Sequence, residues 1–267
     1  MEKDCILLTG ASGGIGSAIA EALLRDGFAV IGLDLRPGDI SHPDYFFIET
    51  DVTSPASVAS AAAQVSALTD RLAGIVNTAG IVRMGSLIEE DPETLQTVLD
   101  VNVGGMARIN RVFFPLLEKG KGRIVNFSSE YGKFCSIPFH GFYTASKHAV
   151  ESYNDSLRRE LSYLGMKVVA VRPGAVDTAM TGSTVPQFEK IKATTTHFGR
   201  QYEKLSPLMA GATAHPMPPE RIAKTVLKAL TARRPRRAYN VGQDLRVKLL
   251  TLLPAGLTDF IFKRFFK

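Results

Sequence analysis

The sequence predicts an α/β fold, a doubly wound and mostly parallel sheet in a single domain, and three observations carry that prediction. Short β-type apolar runs alternate with helical patterns from one end of the chain to the other. Most of these runs are continuously apolar, as in strands buried on both faces of a parallel sheet. The first run passes straight into a glycine-rich turn that opens a helix, the start of a right-handed crossover.

In chain order, strands are predicted at Cys5–Thr9, Ala29–Leu33, Tyr45–Ile48, Ala73–Asn77, Arg123–Ser128, Lys167–Arg172 and Arg237–Val241. Ser54-Pro55 and Asp91-Pro92 each put a capping residue before a proline at the first helical position, and Pro218-Pro219 opens another helix. Only ten residues separate Asp34 from Tyr45, and Pro37, Gly38 and Pro43 are among them, so that crossover is predicted to be a loop. The domain spans residues 1–243 and includes a mobile substrate lid over about 179–217. The lid stretch is polar and Gly/Thr-rich, is broken by Pro186, Pro207 and Pro216, and carries scattered Phe188, Phe198, Tyr202 and Met209. Residues 244–267 form a basic, strongly apolar tail, and no internal repeat or interdomain linker is visible.

With 267 residues and 45% hydrophobic content, the chain can build its core without disulfides. Its two cysteines are Cys5, in an apolar strand, and Cys135, in a loop; neither has metal-ligand spacing. The histidines (His42, His140, His148, His197 and His215) show none either, so no metal is expected. A reducing cytosol suits this cysteine usage. No secretory signal is visible, and the apolar stretch from Leu249 to Leu257 is too short to span a bilayer. The expectation is a cytoplasmic protein, at most attached to a membrane surface. The net charge of +6 is segregated: residues 221–267 hold 12 Lys/Arg against Asp244 and Asp259, a balance of +10, which leaves the rest at −4.

The turn after the first strand reads Thr9-Gly10-Ala11-Ser12-Gly13-Gly14-Ile15-Gly16. Gly10 permits the tight turn, Gly14 lets a pyrophosphate approach the backbone, and Gly16 allows close helix–strand packing. The helix that follows offers free N–H groups and its positive dipole end to phosphates. Gly10, Ser12, Gly14, Ile15 and Gly16 are therefore assigned to a dinucleotide. Asp34 ends the second strand 18 positions after Gly16, where a carboxylate accepts hydrogen bonds from ribose hydroxyls and repels a 2′-phosphate. This favours NAD(H) over NADP(H), although Arg36 would reach a 2′-phosphate if the short crossover turned it inward.

Tyr143 and Lys147 stand at i and i+4, one face of a helix. A free tyrosine has a pKa near ~10 and is a poor base at neutral pH, but a neighbouring cation stabilises the phenolate. A lysine at this spacing also reaches ribose hydroxyls, coupling cofactor position to acid–base tuning.

Taken together, TGASGGIG, Asp51-Val52, Asn77-Thr78-Ala79-Gly80, Ser128-Ser129, Tyr143-Thr144-Ala145-Ser146-Lys147 and Pro173-Gly174 resemble the short-chain dehydrogenase/reductase family, which has a Rossmann-like fold. The glycine spacing matches its compact branch, and the resemblance is dense over about residues 3–180. It implies a catalytic set of Asn102, Ser129, Tyr143 and Lys147. Ser129 would hold the substrate oxygen; pleat alternation lets only one of Ser128 and Ser129 face the site, and the resemblance favours Ser129. Asn102 would bend its helix and anchor a water leading to Lys147. Asp51 and Val52 would border the adenine, and Asn77, Ala79 and Gly80 the adenosine. Pro173, Val176 and Thr178 would hold the nicotinamide carboxamide. The implied reaction is oxidation of a secondary alcohol or reduction of its ketone, in a homodimer or homotetramer. The alternatives are a redox-sensing or scaffold protein of the same fold and an NADP(H)-dependent carbonyl reductase.

An apolar substrate such as a hydroxysteroid, a retinoid or another lipid is expected, since the lid and the Phe139/Phe142 loop supply apolar surface and the stretch from Tyr143 to Thr178 is similar to hydroxysteroid and retinol dehydrogenases. His140 either lines the substrate mouth or, as the reading prefers, sits in a surface loop. The tail alternates Leu, Ile and Phe with Arg246, Lys248, Lys263, Arg264 and Lys267. Its apolar face is expected to cap the substrate pocket or a subunit interface, with an anionic membrane surface as the alternative. Nucleic-acid binding is not expected, since no recognised module accompanies the charge.

Overall fold

In the computed structural model, which describes residues 3–134 and 136–266, seven parallel strands form one sheet. Met1, Glu2, Cys135 and Lys267, and with them the expectations for Cys135 and Lys267, lie outside the described residues. The strands are β1 (Cys5–Thr9), β2 (Ala29–Asp34), β3 (Tyr45–Glu49), β4 (Gly74–Asn77), β5 (Arg123–Phe127), β6 (Lys167–Pro173) and β7 (Ala238–Val241), in the spatial order β3-β2-β1-β4-β5-β6-β7. Each begins and ends within one residue of its predicted bounds. Continuous apolar runs set them unambiguously: both faces of β1 are buried, so every residue must be apolar or hydrogen-bonded.

Pleating sends alternate residues of β1 to opposite layers. Ile6 and Leu8 join Val30, Val76 and Val125 under α1 (Gly14–Arg25) and α9 (Pro219–Thr231). Cys5 and Leu7 join Ile31, Ile75 and Ile124 under α2 (Pro55–Leu68), α4 (Met106–Lys119) and α5 (Gly141–Ser162). Each fully buried Leu or Ile contributes roughly 1.5–3 kcal/mol. The chain reverses its direction of travel across the sheet at β1 and β4, the switch point at which open α/β sheets bind ligands.

The helix starts follow the predicted signals. Ser54 accepts from the Ser57 amide at 3.2 Å to cap α2, and Asp91 accepts from the Glu93 amide at 2.9 Å ahead of α3 (Glu93–Leu99). The predicted long helix after Asp91-Pro92 is interrupted: a π-helical stretch, Asp100–Gly105, joins α3 to α4 and contains Asn102. The crossover after Asp34 is a loop, as expected.

The segment read as a mobile lid is three helices, α6 (Ala179–Gly182), α7 (Thr184–Thr194) and α8 (Gly199–Thr213). Pro186 falls in the first turn of α7, where a missing N–H breaks no helical bond. Phe188, Tyr202, Leu205 and Met209 form a small separate core with Met84, against which Phe139 and Phe198 pack. Glu89 staples the α7–α8 connection by accepting from the Thr196 and His197 amides at 3.0 and 2.8 Å. The tail is also helical, as α10 (Leu245–Thr251) and α11 (Ala255–Phe266).

Candidate active site

Three cavities run in sequence along the carboxyl edge of the sheet. The first, about 560 Å³, lies over the glycine-rich turn and is bordered by Gly10, Ser12, Gly14, Ile15, Gly16, Asp34, Asp51, Val52, Ala79 and Gly80. It shares Ile15, Gly80 and Thr178 with a second, about 120 Å³, lined by Tyr143, Lys147, Pro173 and Val176. This one shares Ser129, Tyr143 and Gly174 with a third of about 400 Å³ that opens under the α6–α8 segment.

The turn fits a dinucleotide in a way that side chains would spoil. Gly10 has φ +66°, and a Cβ there would stand 2.8 Å from the Ala79 nitrogen. A Cβ at Gly16 would stand only 2.0 Å from the Gly10 carbonyl oxygen. α1 starts with no side-chain cap and no acidic residue in its first turn, so its amides face the cleft. At the far end Asp34 accepts from the Ser12 amide at 2.9 Å and the Leu35 amide at 2.7 Å, which fixes its carboxylate at the cleft wall. Arg36 borders the same cleft, and its side chain is exposed.

At the junction of the second and third cavities, Tyr143 and Lys147 project from one face of α5. The Lys147 ammonium lies 5.6 Å from the centre of the Tyr143 ring and donates to the Phe127 carbonyl at 3.0 Å. The cation was expected to lower the Tyr143 pKa, but the balance runs the other way. Burial pushes the phenol up to about 12, the hydrogen bond with Ser129 lowers it by less, and the Glu130 charge raises it further. Burial also brings Lys147 down to about 8, opposed by the Glu151 carboxylate one turn further along α5. Ser129 lines the second and third cavities, whereas Ser128 borders only the second and its buried hydroxyl lies against Gly132.

Asn102 is buried where the π-helical stretch turns it toward the β4 loop. It accepts from the Ile81 amide at 2.8 Å and donates to the Ile81 carbonyl at 3.0 Å and to Ser146 at 2.9 Å. It thereby ties the loop that carries Gly80 to the helix that carries Tyr143.

The family pattern described as short chain dehydrogenase matches residues 4–189, well over half of the chain. The chain belongs to the short-chain dehydrogenase family. Its members are oxidoreductases that bind a nicotinamide cofactor, and this one is an alcohol/ketone dehydrogenase. It is 31% identical to rat 17-beta-hydroxysteroid dehydrogenase type 6, over 95% of this chain and 86% of that one. It is 30% identical to the bovine mitochondrial D-beta-hydroxybutyrate dehydrogenase, over 96% and 83%. A short-chain dehydrogenase from Streptomyces avermitilis superposes with a TM-score of 0.77 at 27% identity, covering 99% of this chain and 95% of that one.

In this short-chain dehydrogenase one expected cofactor residue is placed elsewhere. Asn77 does not border the adenosine cleft: its amide turns into the sheet and donates to Asn110 at 2.8 Å and Asn126 at 2.9 Å. Asn126 in turn donates to Asn154 at 3.1 Å, so a buried asparagine chain links β4, α4, β5 and α5. The aromatics expected at the substrate are also elsewhere. Phe139 stacks on Tyr202 at 4.2 Å, Tyr202 meets Phe188 at 5.0 Å, and Phe142 is buried; none of the four lines the cavity, because they bury more surface against each other and the core.

His140 is no surface-loop residue. It is buried, lines the third cavity, and its ring lies 4.5 Å from Tyr131 and 5.4 Å from Tyr143. Phe139, at φ +64°, makes the turn that sends its own ring to the lid core and His140 to the cavity. Neither His140 nitrogen has a protein partner among the described residues, and burial lowers its pKa to about 4. Glu130 was missed. It lines the same cavity, accepts from the Asp244 amide at 2.8 Å, and burial raises its carboxyl to about 7. An acidic residue directly after Ser129 at a strand end was the available signal. Glu151, also missed, holds Arg172 through two bonds of 2.6 and 2.7 Å behind Lys147. Its signal was the second i+4 step, from Tyr143 through Lys147.

Proposed function

We propose that this dehydrogenase interconverts a secondary alcohol and its ketone with NAD(H), and that its substrate is apolar, a hydroxysteroid, retinoid or other lipid. The observation that carries the reading is the sharing of Ser129 and Tyr143 between the large outer cavity and the small inner one next to the glycine-rich cleft. A carbinol in the outer cavity would meet both hydroxyls where it meets the inner one. When bound, a nicotinamide supplies or accepts hydride. Ser129 orients the substrate oxygen, and Tyr143 exchanges a proton with it. A phenol held protonated donates to a carbonyl oxygen at neutral pH. As a base in the opposite direction it depends on the Lys147 charge. Lys147, which borders the inner cavity, would bind ribose hydroxyls, and Asn102 holds the loop and helix on either side of it.

Val82, Ala175, Met180, Met209 and Met217 supply an apolar part of the outer cavity's wall, alongside Glu130, His215, Arg221 and Asp244, and that part supports a lipid, as does the kinship with a hydroxysteroid dehydrogenase. A panel of steroid, retinoid and short-chain alcohols, followed by NADH absorbance, tests the proposal. Turnover of at least one lipid is expected, with a loss of about 10²–10⁴-fold in Tyr143→Phe. Indifference to every lipid overturns the substrate class, and full activity in Tyr143→Phe overturns the catalytic role. A second reading, NADP(H), is favoured by Arg36, which has no acidic partner among the described residues and borders the cleft beside Asp34.

A further inference from the structure

The C-terminal helices leave a surface that the catalytic reading does not use. α11 is apolar around most of its circumference, so only one side can pack on the domain. That side is filled: Thr258 is buried, Phe262 and Phe266 stack at 5.9 Å, and Phe266 packs on the Phe188/Tyr202 core. Leu257, Phe260 and Phe265 remain 47%, 63% and 67% exposed. Leu245 and Leu249 of α10, and Leu252 just after it, are 69%, 63% and 73% exposed. The expected capping of the substrate cavity is not what these side chains do, since among the described residues the cavity wall takes Gly242 and Asp244 but nothing from either helix.

Cations surround this apolar surface. Lys248, Lys263 and Arg264 are exposed and have no acidic partner among the described residues. We propose that the α10–α11 helix pair docks on an anionic lipid bilayer, with Leu249, Leu252, Phe260 and Phe265 entering the acyl boundary and the cations meeting the headgroups. Charge decides between this occupant and a second copy of the chain. A two-fold contact would set the five Lys/Arg of residues 244–267, which exceed Asp244 and Asp259, against the same cations of the other copy, whereas an anionic bilayer supplies both the opposite charge and an apolar depth. The pair lies on the membrane and does not cross it, since no helix among the described residues is long and apolar enough to span one. The proposal stands whatever alcohol the active site accepts.

Co-sedimentation of the full chain with phosphatidylcholine vesicles, with and without phosphatidylglycerol, tests it. The protein is expected to pellet with the anionic vesicles only, and less as salt rises. Two exposed pairs, Leu249→Glu with Phe260→Glu and Lys263→Glu with Arg264→Glu, should each weaken binding at least tenfold with the far-UV spectrum and dehydrogenase activity unchanged. Failure to pellet with anionic vesicles overturns the proposal, and so does unaltered pelleting of both variants. Sedimentation velocity without lipid covers the rival occupant: conversion of an oligomer to a monomer by the Leu249/Phe260 pair, with no vesicle binding by the parent, assigns the surface to a second copy.

Discussion

Burial and a hydrogen bond oppose each other on the Tyr143 phenol, and in this structure burial is the larger effect. The residue is enclosed by Ser129, His140 and Tyr131, so the phenolate loses more solvation than the Ser129 hydrogen bond returns, and the Glu130 charge adds to the rise. Sequence spacing brings Tyr143 and Lys147 to one helix face but carries no information about desolvation. Asp34 is the opposite case, a residue whose position at the end of a strand suffices to aim it. Its carboxylate already accepts two backbone amides and keeps lone pairs toward the cleft. Replacing it by serine should weaken NADH binding about tenfold or more, the worth of a charged hydrogen bond, and raise affinity for NADPH relative to NADH. Fluorescence titration with both cofactors measures this. Tighter NADPH binding by the unaltered protein would show that Arg36, not Asp34, sets the preference.

Among the elements, the strands and the starts of α2, α3 and α9 were legible because their determinants are local: apolar runs, capping side chains and prolines. The π-helical stretch has no such local signal: only the family resemblance put a bend at Asn102, whose partners Ile81 and Ser146 lie 21 and 44 positions away. The asparagine chain was hidden for the same reason. Asn77, Asn110, Asn126 and Asn154 sit in four separate elements, and each alone reads as an ordinary polar residue. Asn126 is fully buried, so Asn126→Leu would leave the Asn154 oxygen without its donor and Asn77 with one acceptor fewer. A loss of roughly 2–4 kcal/mol in chemical denaturation is expected. A change below about 0.5 kcal/mol would mean that the chain adds nothing to stability. The α6–α8 segment misled through its prolines, since Pro186 falls in the first turn of α7 and Pro207 is accommodated within α8, and through aromatics that found partners in the Phe188/Tyr202 core.

Over the whole molecule, two buried titratable groups beside Tyr143 set opposite trends of stability with pH. Glu130, with its folded pKa raised from 4.5 to about 7, contributes stability that is present below pH 4.5 and lost as the pH rises through 7. His140, lowered from 6.5 to about 4, contributes stability that is present above pH 6.5 and lost as the pH falls through 4. Between pH 4.5 and 6.5 the two trends oppose, each on the order of 3 kcal/mol across its full range. Glu130→Gln should therefore steepen the rise in Tm with pH in that window, and His140→Phe should reverse it. Parallel curves for both variants and the parent would place the titrations elsewhere.

The sequence by itself determined the sheet, its layers, the glycine cradle and the family, because buried parallel strands, tight turns and helix caps are specified by residues within a few positions of each other. It also marked Ser129, Tyr143 and Lys147. Which groups share their cavity was decided by tertiary structure alone. His140 and Glu130 turn inward, Asn77 turns away and the lid aromatics pack together, each through partners far off in the chain. The exposed side of α11 has the same origin. Apolar residues surround that helix in the sequence, and only its packing against the Phe188/Tyr202 core leaves Leu257, Phe260 and Phe265 facing outward.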